Sequence, residues 1–380
     1  MKKIYFNFLL ISLISFCECE LKIIKDKFDK IFVKNDYIEL EIIPQYGGVI
    51  SKYEFLENPI VFPFKLIKKE FYPGSLTYEI PNFAGISDWI WPGGGNLKKE
   101  KYEYEILENS KEKVVINLKN ISGIERKVNV FKNSSIVEID VKGNFDKKSY
   151  WFHPMFCVGG EFDKDDFLII PVAKTTERVR NITEIIDKDG IKIFHPEVGS
   201  YFYLPKQNWF CIVDRNKKLV GGIVIEKKFI DKKVIFYSWN GNLEDEREKR
   251  GITLEVIYPE NENEFKIYLV SISGLNNISY LSENIALNLE SKNKVKVDEK
   301  IPYYLEITSP QRIENLKINF GIGENFKGVF VDILSPEKIY KTKGEIDGLA
   351  NKGNYRWYFK IMKNNKLIED FYLLNEIEVE

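Results

Sequence analysis

The segment Gly251-Ile252-Thr253-Leu254-Glu255-Val256-Ile257-Tyr258-Pro259-Glu260 alternates with a period of two. Successive side chains of a β-strand point to opposite faces. Ile252, Leu254 and Val256 therefore share one face, and Glu255 lies across the strand from them. The same rhythm recurs along the chain. Ile38, Leu40 and Ile42 oppose Glu39 and Glu41, and β-branched or aromatic runs cover Ile136 to Val141, Val234 to Trp239 and Phe265 to Ser273. Turn chemistry separates these runs at Asp189-Gly190, Gly221-Gly222 and Asn240-Gly241. Helical periodicity is nearly absent, and stretches such as Glu177 to Ile186 are short and poorly patterned for a helix. Many short strands at such spacing predict an all-β sandwich rather than βαβ units.

Length and composition agree with this. A chain of 380 residues has room for two domains, and 44% hydrophobic content supplies a substantial core. The 56 basic and 57 acidic side chains nearly cancel, which removes nucleic acid and anionic membrane as expected partners. Aromatic residues reach 14%, including 27 Phe and 21 Tyr. Flat apolar rings suit the C–H face of a pyranose, and they also fill pleated sheets.

At the N-terminus, Lys2 and Lys3 precede an apolar run from Ile4 to Phe16, the pattern of a secretory signal over residues 1–17. The run is shorter than the about 20 residues of a membrane span. Export to the periplasm, cell surface or medium is expected, without integral membrane insertion. Ile14-Ser15-Phe16-Cys17 also reads as a degenerate lipobox, with Phe16 a poor fit, so acylation of Cys17 is the minor alternative. Cys157 and Cys211 sit in apolar strand-like stretches, where a disulfide and two buried thiols are both open. Their spacing matches no metal motif, and no cofactor is implied.

A polar, Asn/Ser/Lys-rich segment from Leu281 to Asp298 predicts a domain boundary near residue 290. A large sandwich is expected over 22–288 and a small immunoglobulin-like sandwich over 295–380, the latter without a cysteine pair.

Three segments carry a family resemblance. Ile42-Ile43-Pro44-Gln45-Tyr46-Gly47-Gly48-Val49-Ile50-Ser51 resembles the opening strand and Gly-Gly turn of the galactose-mutarotase-like (aldose 1-epimerase-like) superfamily. Tyr150-Trp151-Phe152-His153-Pro154-Met155-Phe156 is similar to the strand that carries its catalytic histidine. Gly251 to Glu260 is similar to the strand that carries its catalytic glutamate. The resemblance spans about residues 22–285 and implies a large antiparallel β-supersandwich that handles carbohydrate. It implies His153 as the acid and Glu255 as the base of a ring opening. The anomeric hydroxyl loses a proton while the ring oxygen gains one, and positioned transfer is worth about 10²–10⁴-fold per group. Two departures stand out: Phe83 to Asn96 lacks the expected loop histidine, and Ile257 replaces a usual glutamine.

Asp88-Trp89-Ile90-Trp91-Pro92-Gly93-Gly94-Gly95-Asn96 is the most distinctive loop. Trp89 and Trp91 suit the wall of a sugar cleft, with Asp88 and Asn96 reaching hydroxyl groups; a hydrophobic plug between sheets is the competing reading. Trp151 and Trp239 are the other aromatic candidates, and Asn240 and Asn242 adjoin the latter. His195 before Pro196 is a second candidate acid, with a loop turn the favoured reading. Glu161, Asp163, Asp165 and Asp166 lack calcium-loop spacing and read as a solvated turn. Three functions follow: an epimerase-like isomerase, a noncatalytic glycan-binding module, or a glycosidase or lyase. The last needs two carboxylates flanking one bond, for which Asp88 and Glu255 are the nominees.

Overall fold

The computed structural model describes residues 18–64, 66–70, 77–81, 84–92, 95–160, 162–175, 185–240 and 251–380. The signal-like segment, Cys17, Glu161, Asn242 and most of Glu177 to Ile186 lie outside the described residues. The fold is all-β. Among the described residues, helix is confined to Lys228–Asp231 and a 3₁₀ turn at Leu97–Lys99, and no helix is long and apolar enough to cross a membrane.

Two large antiparallel sheets form the first unit. The eleven-stranded sheet runs Glu20–Lys25, Asp29–Lys34, Ile38–Ile43, Val49–Phe55, Ile86–Trp91, Ser149–Phe156, Ile252–Ile257, Ile235–Asn240 and Gly199–Tyr203, with short side strands Asn58–Pro59 and Gly95–Asn96. The nine-stranded sheet is centred on Val137–Lys142 and Glu264–Ser273. The alternating apolar residues meet between the two sheets: Leu40, Ile42, Phe152, Leu254 and Val256 pack with Ile116, Val128, Ile139 and Ile267 in one buried cluster. The Gly47-Gly48 turn is made by two residues at positive φ (65° and 57°). A Cβ on Gly47 would stand 2.6 Å from the Leu97 carbonyl oxygen, so this approach requires glycine.

Strands Trp209–Asp214 and Leu219–Ile225 are buried at every residue, which explains why they show no alternation in sequence. Their second face, with Cys211, Val213, Val220 and Val224, joins Val270 and Ile272 and packs against Leu281, Ala286 and Ile339 of the C-terminal unit. Cys157 and Cys211 are buried and free, not disulfide-bonded.

The C-terminal unit is a smaller sandwich of a four-stranded and a five-stranded sheet around Ile318, Phe320, Trp357 and Phe359. It starts before residue 290. Tyr280–Leu281 pairs with Ala286–Ser291, which pairs in turn with Ile301–Thr308 of the four-stranded sheet. Within the polar segment, Ser282 Oγ accepts from the turn N–H groups of Asn284 and Ile285, and just before it Ser279 Oγ accepts from the strand N–H of Leu289.

One face of the large sandwich is thus left uncovered by the second unit. It is the outer side of the eleven-stranded sheet.

Candidate functional site on the outer face of the large sheet

Strands Ile86–Trp91, Ser149–Phe156, Ile252–Ile257 and Ile235–Asn240 are consecutive neighbours in the middle of that sheet. Since Phe152, Leu254 and Phe236 face the core, Ser87, Trp89, Trp151, His153, Glu255 and Tyr237 face outward. Register aligns them into rows. His153 pairs with Ser87 on one side, lies between the pairs Phe152–Val256 and Met155–Thr253 on the other, and so stands opposite Glu255. Glu255 pairs with Tyr237, and Tyr237 with Phe202. A parallel row holds Trp89, Trp151 and Ile257. Pro154 has no N–H to give the ladder, and pairing to the glutamate strand lapses at 153–154.

His153 Nδ1 lies 2.8 Å from Glu255 Oε1, and each side chain is only 4% exposed. The contact is close but poorly aligned, for neither ring nitrogen of His153 makes a hydrogen bond. The Trp89 ring lies 4.8 Å from the imidazole, tilted by 41°. Trp151 lies 6.1 Å from Tyr237, and Phe202 lies 4.5 Å from it.

The same face concentrates unmet hydrogen-bonding capacity. Ser87 Oγ, Trp89 Nε1, Trp151 Nε1 and His153 Nε2 are buried without a hydrogen-bond partner, and His153 Nδ1 has only its misaligned contact with Glu255. Buried polar groups are normally bonded, and leaving one unpaired costs about 1–3 kcal/mol. A patch of neighbouring indole, hydroxyl and imidazole groups in that condition matches a ligand rich in hydroxyl oxygens.

The other candidates are distributed differently. Asp88 faces the interior, not a sugar. It is fully buried, pairs with Arg126 Nη1 at 3.0 Å, and accepts from the phenols of Tyr102 at 2.9 Å and Tyr150 at 2.6 Å. Arg126 in turn donates to the Gly48 carbonyl. Burial, then the Asp88 charge, pushes both phenols well above their ordinary range. Asp88 and Glu255 therefore occupy opposite faces of one sheet, which removes the carboxylate pair nominated for a glycosidase. Trp91 shares Trp89's face but is 62% exposed at the strand end. The Asn96 backbone pairs with Trp89, and its side chain lies outside the described residues. Trp239 pairs with Thr253 two residues beyond Tyr237, on the Glu255 face.

His195 belongs elsewhere. It stacks on Phe162 at 5.0 Å, and its Nδ1 lies 2.8 Å from the Asp166 carbonyl oxygen. Asn240 Nδ2 donates to the Pro196 carbonyl at 2.9 Å, tying that turn to the sheet. Asp163 and Asp166 carboxylates accept the turn amides of Asp165 and Asp163 at 2.8 and 2.7 Å. Among the described residues, no group of three or more His, Cys, Asp or Glu side chains is arranged to hold a metal ion.

Ser87, Tyr237 and Phe202 complete the outer face and were not singled out in the sequence. Counting by two from Trp89 and Trp239 reaches Ser87 and Tyr237. Phe202 becomes a neighbour only through pairing between distant strands.

No protein-family model matches the chain, and no curated protein matches it. Solved structures of similar form exist at low identity. A candidate mutarotase from Salmonella typhimurium is similar at 13% identity and a TM-score of 0.48, over 68% of this chain and 94% of that one. A galactose mutarotase-like protein from Clostridium acetobutylicum is similar at 13% identity and a TM-score of 0.43, over 68% and 99%. A 4-alpha-glucanotransferase from Thermococcus litoralis gives 14% identity and a TM-score of 0.39, over 68% and 40%. These are likenesses of fold alone.

Proposed function

We propose that this protein binds carbohydrate on the outer face of the eleven-stranded sheet and moves protons on a sugar ring there, as an aldose 1-epimerase does. The observation that carries this is the His153–Glu255 contact of 2.8 Å, with both groups 4% exposed and set among Trp89, Trp151 and Tyr237. An ordinary strand glutamate on an outer face would be hydrated; this one is buried beside the more enclosed of the chain's two histidines. Glu255 is the acceptor for the anomeric hydroxyl proton, and His153 the donor to the ring oxygen. When the ring recloses the roles reverse, so both groups return to their starting state. Tryptophan faces stack on the sugar's C–H surface, and Ser87 and the indole N–H groups bond its hydroxyls.

One observation favours binding without turnover. His153 and Glu255 contact each other, and a sugar must come between them, or be served by Nε2 alone, for both to reach the ring. Export rests on the charged-then-apolar start at Lys2 to Phe16 and fits a role with external glycan; cell fractionation with antibody detection tests it.

The deciding experiment follows optical rotation of freshly dissolved α-glucose and α-galactose with wild type, His153→Ala and Glu255→Gln. Acceleration by wild type that both variants lose establishes the acid–base pair. Absence of acceleration on either sugar, with binding retained on a glycan array, establishes the noncatalytic reading.

A further inference from the structure

The C-terminal sandwich carries a second feature unrelated to the dyad. Its five-stranded sheet buries one face around Phe320, Phe359 and Phe371. The other face exposes Phe326 (53%), Tyr372 (59%) and Phe330 (77%). Register puts the first two in one line with Tyr358: Phe326 pairs with Gly321, Gly321 with Tyr358, and Tyr358 with Tyr372. The line crosses four neighbouring strands, spanning about 14 Å at the usual strand spacing.

Adjacent rings are close. Tyr358 lies 6.2 Å from Phe326 and 4.9 Å from Tyr372. A Cβ on Gly321 would stand 2.1 Å from the Asn325 carbonyl oxygen and 2.6 Å from Phe326 Cδ1, so the hairpin backbone itself requires glycine here, and the Phe326 ring lies over the bare position. The next row is polar, with Asn319 pairing with Lys360 and Lys360 with Asp370. The Tyr358 hydroxyl donates to Asp370 Oδ2 at 3.4 Å.

Single exposed apolar residues need no explanation, but an aligned exposed set marks an interaction surface. Cross-strand aromatic pairing accounts for the contact of Tyr358 with Tyr372; Phe330 lies outside the line, two rows along its strand and beside Lys317. The charges bordering the line are of both signs, Lys360 against Asp370, which suits an uncharged partner. Inclined rings, 90° and 46° between neighbours, suit a twisted single chain and not a flat crystalline surface.

We propose that this strip binds a soluble, uncharged, linear polysaccharide: Phe326, Tyr358 and Tyr372 contact successive sugar rings, and Asn319 and Asp370 bond their hydroxyls. The site is separate from the dyad and does not depend on the dyad's chemistry.

Native affinity electrophoresis of the full chain tests it, with gels containing laminarin, glucomannan, xyloglucan, soluble xylan or hydroxyethyl cellulose. Retardation of wild type is expected in at least one gel. Phe326→Ser and Tyr372→Ser together should weaken it by about tenfold or more, whereas Ile121→Ser, at an exposed apolar residue of the first unit, should leave it unchanged. These residues are exposed, so the variants should keep the wild-type melting temperature, measured alongside. No retardation in any of the five gels overturns the proposal. Retardation that survives the double serine variant, or that His153→Ala removes, assigns binding to the first site and overturns it. Sedimentation velocity supplies the remaining arm: a wild-type dimer that the double variant dissociates makes the strip a contact between copies and likewise overturns it.

Discussion

Asp88 and Trp89 are consecutive residues that serve opposite faces of one sheet: Asp88 pairs with Arg126 in the core at 3.0 Å, and the Trp89 ring lies 4.8 Å from His153 outside. Period-two geometry makes this unavoidable in a regular strand. The consequence is a division of labour within one short segment. The interior residues Asp88, Tyr102, Arg126 and Tyr150 hold the strand in place, while Ser87 and Trp89 present polar and aromatic groups to the site.

Removing one partner of a buried ion pair typically costs about 3–5 kcal/mol, because the other charge is left without compensation. Asp88→Ala should lower unfolding free energy by that order in urea titrations. A change below about 1 kcal/mol would mean that Arg126 is hydrated and the pair is not buried.

Aromatic truncation should separate affinity from stability. Trp89→Ala and Trp239→Ala should each weaken sugar binding by about tenfold, measured by calorimetric titration with the best monosaccharide. Trp91→Ala should change it little, since Trp91 pairs with Ser149 at the strand end, four residues along the strand from the Ser87–His153 row. Equal affinities in wild type and both of the first two variants would remove the cleft.

For the acid–base pair, His153→Ala and Glu255→Gln should each lower the mutarotation rate by about 10²–10⁴-fold. The double variant should be no slower than the worse single one, since each group needs the other. Multiplying losses would show that they act independently.

A pH effect comes from the second sheet. Asp166 is buried opposite Asp214, and burial pushes its carboxyl up from 3.8 to about 7, with the Asp214 and Asp163 charges adding to the rise. The folded state therefore holds a proton that the unfolded chain releases above about 4. The stabilisation is full below that pH and is lost as pH rises through about 7, up to roughly 4 kcal/mol at about 1.4 per unit. Asp166→Asn should be more stable than wild type at pH 8, with the gap closing towards pH 4. Thermal melts across that range measure it, and a constant gap would contradict it.

Deleting the C-terminal unit should harm the first. Truncation after Gly274 would bare Cys211, Val213, Val220, Val224, Val270 and Ile272. Buried apolar area of that extent drives association when exposed. Light scattering should show aggregation of the truncated chain at concentrations where the full chain stays monodisperse.

Much of the fold was legible in the chain itself. Alternation at Ile38–Ile43 and Ile252–Ile257 marks strands and sorts their faces, because side-chain direction is a local property of an extended backbone. The placement of Glu255 away from Leu254 and Val256 followed from spacing alone. Spacing alone does not reveal that Ser282, inside the polar segment, caps a turn between two paired strands, because its partners Asn284 and Ile285 are fixed only by the fold.

What spacing cannot determine is which face meets what. Period two divides a strand into two sets without saying which set is covered, so spacing leaves Asp88 free to be a hydroxyl ligand, and only the tertiary structure sets it beside Arg126. The pairing of His153 with Glu255 spans more than a hundred residues and depends on register between strands. Register is set by the whole sheet, since a one-residue slip would turn every side chain to the other face. The local pattern thus made strands and candidate residues; long-range pairing and the docking of the second sandwich on the opposite sheet decided which of them share a site.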